Sequence, residues 1–263
     1  MTLILAAHGT RKPAGVAMIG DLAARVGELL GRRVQVAFVD VLGPTPGEVL
    51  SQADPGRPAV VVPAFLSRGY HVRTDLPTHV VASGHPKVIV TPALGPGGEI
   101  ARIVGGRLAQ SGWRPGDSVV PGAAGTSDAG ARTDLHVTAT TLSALVGSRV
   151  RLGFAATGEV DEAVAAARRD DARRVVVASY LLADGLFQQR LQACGADLVS
   201  QPLGPHPGLP RLIANRLRRG LAPAATLHAS CRPSRRRAQG PLGLPNSAAH
   251  SAWSARRADS RGA

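Results

Sequence analysis

Apolar residues in this chain fall into short continuous runs separated by stretches with helical periodicity. Leu3–Ala7 is an uninterrupted apolar run that stops at His8-Gly9-Thr10. After it, Val16, Ile19, Leu22, Ala23, Val26, Leu29 and Leu30 recur at the spacing of one helix face. A second run covers Val34–Val39, and a short helix is predicted after Pro46. Ala59–Phe65 is the most pronounced run, closed by Ser67-Arg68-Gly69, and Val88–Thr91 is another. A helical pattern through Ile100, Ile103, Val104 and Leu108 follows. These readings predict strands at 3–7, 34–39, 59–65 and 88–91, each followed by a helix. Strand alternating with helix implies parallel βα units.

The same order then begins again. Val119-Val120 leads into Ala124-Gly125-Thr126 as Leu3–Ala7 leads into His8-Gly9-Thr10. Val150–Phe154 matches Val34–Phe38, and Val175–Leu181 matches Ala59–Phe65. One offset of 116 positions relates His8 to Ala124, Phe38 to Phe154 and Phe65 to Leu181. Further on, Pro202-Leu203-Gly204-Pro205 echoes Ala93-Leu94-Gly95-Pro96 at an offset of 109. A register held over three strands marks an internal repeat, and strands are predicted at 118–122, 149–155, 174–180 and 196–200. The expected fold is α/β, with two homologous lobes that each carry a parallel four-stranded sheet flanked by helices. The lobes span 1–113 and 114–220 and join near Trp113-Arg114-Pro115-Gly116. Past Leu221 the periodicity ends, and 221–263 reads as a disordered basic tail.

Composition narrows this picture. Aromatic residues make up 3% against 44% hydrophobic, so the cores are built from Ala, Val and Leu, as in buried parallel strands. No apolar span is long enough for a membrane helix. Met1–Ala7 lacks the basic leader of a signal peptide and is read as the first strand, which places the protein in the cytoplasm. Cys194 and Cys231 form neither a CxxC pair nor a metal-ligand spacing. The net charge of +13 invites a nucleic-acid partner, but much of the excess lies in the tail. Seven arginines there face one acidic residue, Asp259. A nucleic acid is therefore not the expected partner, and no P-loop or GxGxxG follows a strand.

Ligands of parallel α/β sheets gather beyond the carboxyl ends of the strands. In the first lobe His8 follows strand one, Asp40 follows strand two, and His71 lies just past strand three. At the repeat offset these become Ala124, Ala156 and Phe187. The framework is kept and all three polar groups are lost together, which marks them as one site rather than fold support. Two imidazoles and a carboxylate suit Fe²⁺, Co²⁺, Ni²⁺ or Zn²⁺, and they equally suit proton removal near neutrality. Asp40 could also be a helix cap or turn residue. Arg11, Lys12, Arg68 and Arg73 form a cationic rim for an anionic ligand. His79 and His85 are read as surface groups, and His136 and His206 have no matching partner. By position, Ser179, Asp184 and Gln188 line the cleft from the opposite side. Gly9 and Gly69 are assigned to tight turns.

Three segments carry a resemblance. Leu5-Ala6-Ala7-His8-Gly9-Thr10-Arg11, Phe38–Pro46 and Pro63–Pro77 resemble, in order and spacing, the two histidine segments and the acidic segment of the sirohydrochlorin chelatases, a group of class II chelatases. Asp40 stands where that family more often has Glu. The likeness covers about residues 1–220. It implies a bilobal fold with the tetrapyrrole in the cleft. His8 and His71, with Asp40, would bind a divalent metal that is itself a substrate (Fe²⁺, Co²⁺ or Ni²⁺) and assist deprotonation of pyrrole nitrogens. The rim would hold the carboxylates of sirohydrochlorin, giving sirohaem or a cobalamin precursor. No organic cofactor is implied, and the fused lobes suit a monomer. A non-catalytic metal or tetrapyrrole carrier on the same fold would use the same ligands. A histidine-dependent phosphohydrolase is a further alternative, since a strand ending in His-Gly-Thr-Arg also suits a phosphohistidine nucleophile.

Overall fold

The computed structural model describes residues 1–170 and 172–221. In the first half β1 (Thr2–Ala7), α1 (Pro13–Leu30), β2 (Gln35–Phe38), α2 (Pro46–Ser51) and β3 (Ala59–Pro63) follow one another. A π-helical turn (His71–Asp75), α3 (Leu76–Ala82), β4 (Val88–Val90) and α4 (Gly98–Gln110) complete it. The second half contains β5 (Ser118–Ala123), α5 (Ala129–Val146), β6 (Gly153–Phe154), α6 (Glu159–Arg169), β7 (Val175–Tyr180), α7 (Leu186–Ala193), β8 (Leu198–Val199) and α8 (Gly208–Leu221). Every predicted strand is present, although β6 and β8 shrink to two residues each. The predicted tail, with Cys231, lies outside the described residues.

Two four-stranded parallel sheets result, ordered β2-β1-β3-β4 and β6-β5-β7-β8. All residues of β3 and β7 are buried, as expected of β-branched central strands covered on both faces. The repeat register extends to the helices. Helix α1 begins with Pro13 in its first turn and ends at Gly31 in the left-handed conformation (φ 62°). Helix α5 has the same length and ends at Gly147 (φ 69°), 116 positions further on.

The two sheets lie on either side of 113/114, and the helix packing crosses that point. Helix α4 packs on α5 and β7 of the second half, while α8 returns to cover α1 and β3 of the first. Leu209, Leu212, Ile213 and Leu217 of α8 are buried in a core that runs through both halves. Arg218 secures the exchange by donating to the Leu29 carbonyl at 2.8 Å. Each sheet is thus closed by a helix from the other half. Among the described residues, no helix is long and apolar enough to cross a membrane.

Candidate functional site

Strands β1 and β3 lie side by side, with β2 and β4 on opposite flanks. The connections leaving them therefore diverge and open a crevice at their carboxyl ends. His8 follows β1 directly and is exposed at this crevice. The chain can turn away after it because Gly9 has φ 102°, and a Cβ there would run into the Asp40 carbonyl oxygen. His71 opens the π-helical turn after β3, a local geometry that recurs at functional sites. The two imidazoles meet edge to face with ring centroids 4.3 Å apart.

Asp75 completes the arrangement. Its Oδ2 lies 2.5 Å from His71 Nδ1, which occupies that nitrogen and leaves Nε2 for a ligand. The sequence reading included this aspartate in a motif but gave it no role. Its spacing of four from His71 on a helical turn was the available signal. Phe65 stacks beside His71 at 6.1 Å, and Tyr70 meets it edge to face at the same distance. Between the halves lies a cavity of about 270 Å³. His8, Thr10, Phe65 and Ser67 line it from the first half, and Ala124 and Leu182 from the second.

The three groups read together in the sequence are not equally placed. Asp40 hydrogen-bonds through its backbone N–H to the His8 carbonyl at 3.1 Å, so it does brace the His8 loop. Its carboxylate, however, accepts from the N–H of Val41 at 2.7 Å and closes a local turn. Among the described residues no group of three metal-ligating side chains forms.

The rim divides as well. Arg11 and Lys12 are exposed beside His8. Arg68, by contrast, is committed to Asp134 of α5, whose side chain is 1% exposed. Its Nε and a terminal nitrogen reach the carboxylate at 2.9 and 2.6 Å, and its backbone N–H donates at 2.8 Å. This hydrogen bonding holds the Asp134 carboxyl below its ordinary value despite burial. Arg73 lies against Gly130 at the start of the same helix.

Other expectations need correction. Ser179 and Gln188 are buried and bonded to each other at 2.7 Å, with Gln188 also donating to the Ser200 carbonyl, so they do not line the cleft. Asp184 is exposed. His79 and His85 are half-buried rather than free surface groups, since their Nε2 atoms contact the Val39 and Asp54 carbonyls at 3.2 Å. Gly69 has no left-handed backbone, and a Cβ there would make only ordinary contact with Ala131 of α5. His206 accepts from the Gly208 N–H at the start of α8.

Comparison with known proteins agrees with this fold. The CbiX family model matches residues 2–111 and again 119–220. No protein among the curated sequences matches. Among solved structures, the chain is similar to SirB from Bacillus subtilis with Fe³⁺ (TM-score 0.72, 22% identity, 84% of this chain and 96% of that one). It is also similar to the same enzyme from Bacillus subtilis subspecies spizizenii, a sirohydrochlorin chelatase in complex with cobalt (0.67, 21%, 84% and 95%). A third relative is CbiX, described as the terminal enzyme for biosynthesis of siroheme in denitrifying bacteria (0.63, 21%, 83% and 99%). At these identities the structures establish the fold, and the twice-matched family model establishes the family. With both halves matched and both sheets in the same order, this chain belongs to the CbiX family and has the two-lobed class II chelatase fold.

Proposed function

We propose that this protein inserts a divalent metal ion, Fe²⁺ or Co²⁺, into sirohydrochlorin, with His8 and His71 as the reacting groups. The observation that carries the reading is the 4.3 Å approach of these two rings, with His8 lining the interlobe cavity, together with their replacement by Ala124 and Phe187 in the other half. Metal–imidazole bonds of about 2.0–2.1 Å let two such rings share one ion after small rotations. Two protein ligands leave most of the coordination sphere open. That suits an ion that must be handed on rather than kept, and structural sites with four protein ligands behave in the opposite way.

Insertion of M²⁺ releases two protons from ring nitrogens, so the site needs a base facing the macrocycle. Neutral imidazole serves both tasks. Asp75 at Nδ1 of His71 fixes the tautomer that presents Nε2. Asp40 would act through the His8 loop, by its backbone bond to the His8 carbonyl, rather than as a metal ligand. Arg11, Lys12 and Arg73 would receive substrate carboxylates, while Arg68 has its partner in Asp134. The apolar cavity walls suit the face of a tetrapyrrole, and the fused halves supply both walls within one chain.

The direct test is incubation with sirohydrochlorin and Fe²⁺, Co²⁺ or Ni²⁺ in turn, followed by visible absorbance. His8→Ala and His71→Ala should each lose most insertion while still binding the free tetrapyrrole. Near-normal rates in both variants would refute the assignment. Binding of metal and tetrapyrrole by the wild type, with no insertion, would instead identify a carrier.

A further inference from the structure

The second half lacks the reacting histidines, yet it fixes the segment that leads to one of them. The chain leaves β3 at Pro63 and reaches His71 through residues 64–70. Phe65 is tied within the first half, its carbonyl accepting from the Leu94 N–H at 3.0 Å. From Leu66 on, the anchors change sides. The Leu66 carbonyl accepts from the Tyr180 hydroxyl at 2.8 Å, at the end of β7. Arg68 follows with its backbone N–H and guanidinium on the Asp134 carboxylate. Gly69 then lies against Ala131 of α5, and its carbonyl receives the Val72 and Arg73 N–H groups that start the turn carrying His71. Finally the Arg73 guanidinium rests on Gly130.

His8 is held differently. It directly follows β1, and its carbonyl accepts from the Asp40 N–H within its own half. One imidazole is therefore referenced to the first sheet, and the other reaches its place through a loop fastened to the second half. We infer that Asp134 and Tyr180 are positioning residues that set the separation of His71 from His8, so that the second half contributes to metal handling without touching the metal.

The chemistry of the latch suits this role. Asp134 is buried with Arg68 as its charge partner, and one carboxylate receives backbone and side-chain donors of the same residue. Such a contact fixes both the position and the direction of the chain, which a point charge does not. The Tyr180 phenol is buried, and burial raises its pKa, so it remains a donor to Leu66. Thr138, one helical turn from Asp134, lies 3.4 Å from that phenol and joins the two anchors.

This inference rests on His8 and His71 holding the ion, and the test separates the two claims. The full chain, with Asp134→Asn, Tyr180→Phe and His8→Ala variants, is titrated with CoCl₂ without tetrapyrrole, following the visible Co²⁺ bands. Insertion kinetics with sirohydrochlorin are then measured. Asp134→Asn should bind Co²⁺ about 10-fold or more weakly, in the range for groups that orient metal ligands. Its kcat should fall by a similar factor with KM for sirohydrochlorin nearly unchanged. Tyr180→Phe should lose about 2- to 10-fold, the worth of one hydrogen bond. A merely structural role would lower the number of Co²⁺ sites per chain and leave the affinity of the folded fraction as it was. Loss of Co²⁺ binding in His8→Ala with unchanged affinity in Asp134→Asn would overturn the positioning role alone. A wild type that binds no Co²⁺ would overturn the histidine pair and this inference with it. If Asp134→Asn fails to fold by circular dichroism, Tyr180→Phe decides, and an unchanged Co²⁺ affinity there overturns the inference.

Discussion

Removing Asp75 isolates the contribution of the carboxylate behind His71. In the structure its Oδ2 sits 2.5 Å from Nδ1, and the side chains of His71 and Asp75 are 31% and 25% exposed. Loss of a group that orients a metal-binding histidine typically reduces affinity or activity about 10–100-fold, equivalent to ~1.4–2.7 kcal/mol of transition-state stabilisation. Partial exposure screens the charge, so the lower part of that range is expected, about 10–30-fold in kcat for Asp75→Ala. Asp75→Asn keeps an oxygen that can accept from Nδ1–H and loses only the charge, so its loss should be smaller. Fold stability should barely move. A partly exposed pair contributes roughly 0–1 kcal/mol, or at most a few degrees in Tm for a domain of this size. The assay is initial-rate Co²⁺ insertion into sirohydrochlorin by absorbance, with thermal melting alongside. Rates within twofold of wild type in both variants would refute the claim that Asp75 orients His71. Asn falling below Ala would refute the ordering.

Three further outcomes follow from the same geometry. Arg11→Ala and Lys12→Ala should raise KM for sirohydrochlorin with little change in kcat and weaken its salt dependence, each by up to about fivefold for an exposed charge contact; a loss confined to kcat would place these residues elsewhere in the reaction. Burial and the nearby Arg107 hold the His206 imidazole below its ordinary value, so the folded state binds that proton less readily than the unfolded chain, and stability present above about pH 6.5 should decline as pH falls toward the lowered value. The slope of Tm against pH between 5 and 7 should flatten in His206→Asn, and an unchanged slope would exclude His206 as its source. A chain ending at Leu221 should melt and react as the full chain does, whereas one ending at Pro207 should not fold. The latter loses Leu209, Leu212, Ile213 and Leu217 from the shared core, at about 1.5–3 kcal/mol each, which rivals the whole stability of a typical domain; a folded chain ending at Pro207 would contradict the helix exchange.

The sequence by itself determined the elements and the repeat, and it singled out His8 and His71. Strand runs and helical periodicity reflect local burial, and the same local rules operate at every position 116 residues on, which is why α1 and α5 coincide end to end. The two histidines stand out because His8 directly follows one predicted parallel strand, His71 lies past the end of another, and both vanish in the copy. Asp40 was placed correctly at a strand end, but its carboxylate serves a turn, since proximity along the sheet does not fix where a short side chain points. Only the tertiary structure decided which sheet each helix covers. An apolar face on α4 or α8 states that something must bury it, and both sheets offer equivalent surfaces because they are copies. Only the tertiary structure, likewise, turned Arg68 from a rim cation into the partner of Asp134, 66 positions away. Hydrophobic pattern specifies how much of an element is buried, while the identity of a charge's partner depends on where the chain crosses, and that is set once both halves have packed.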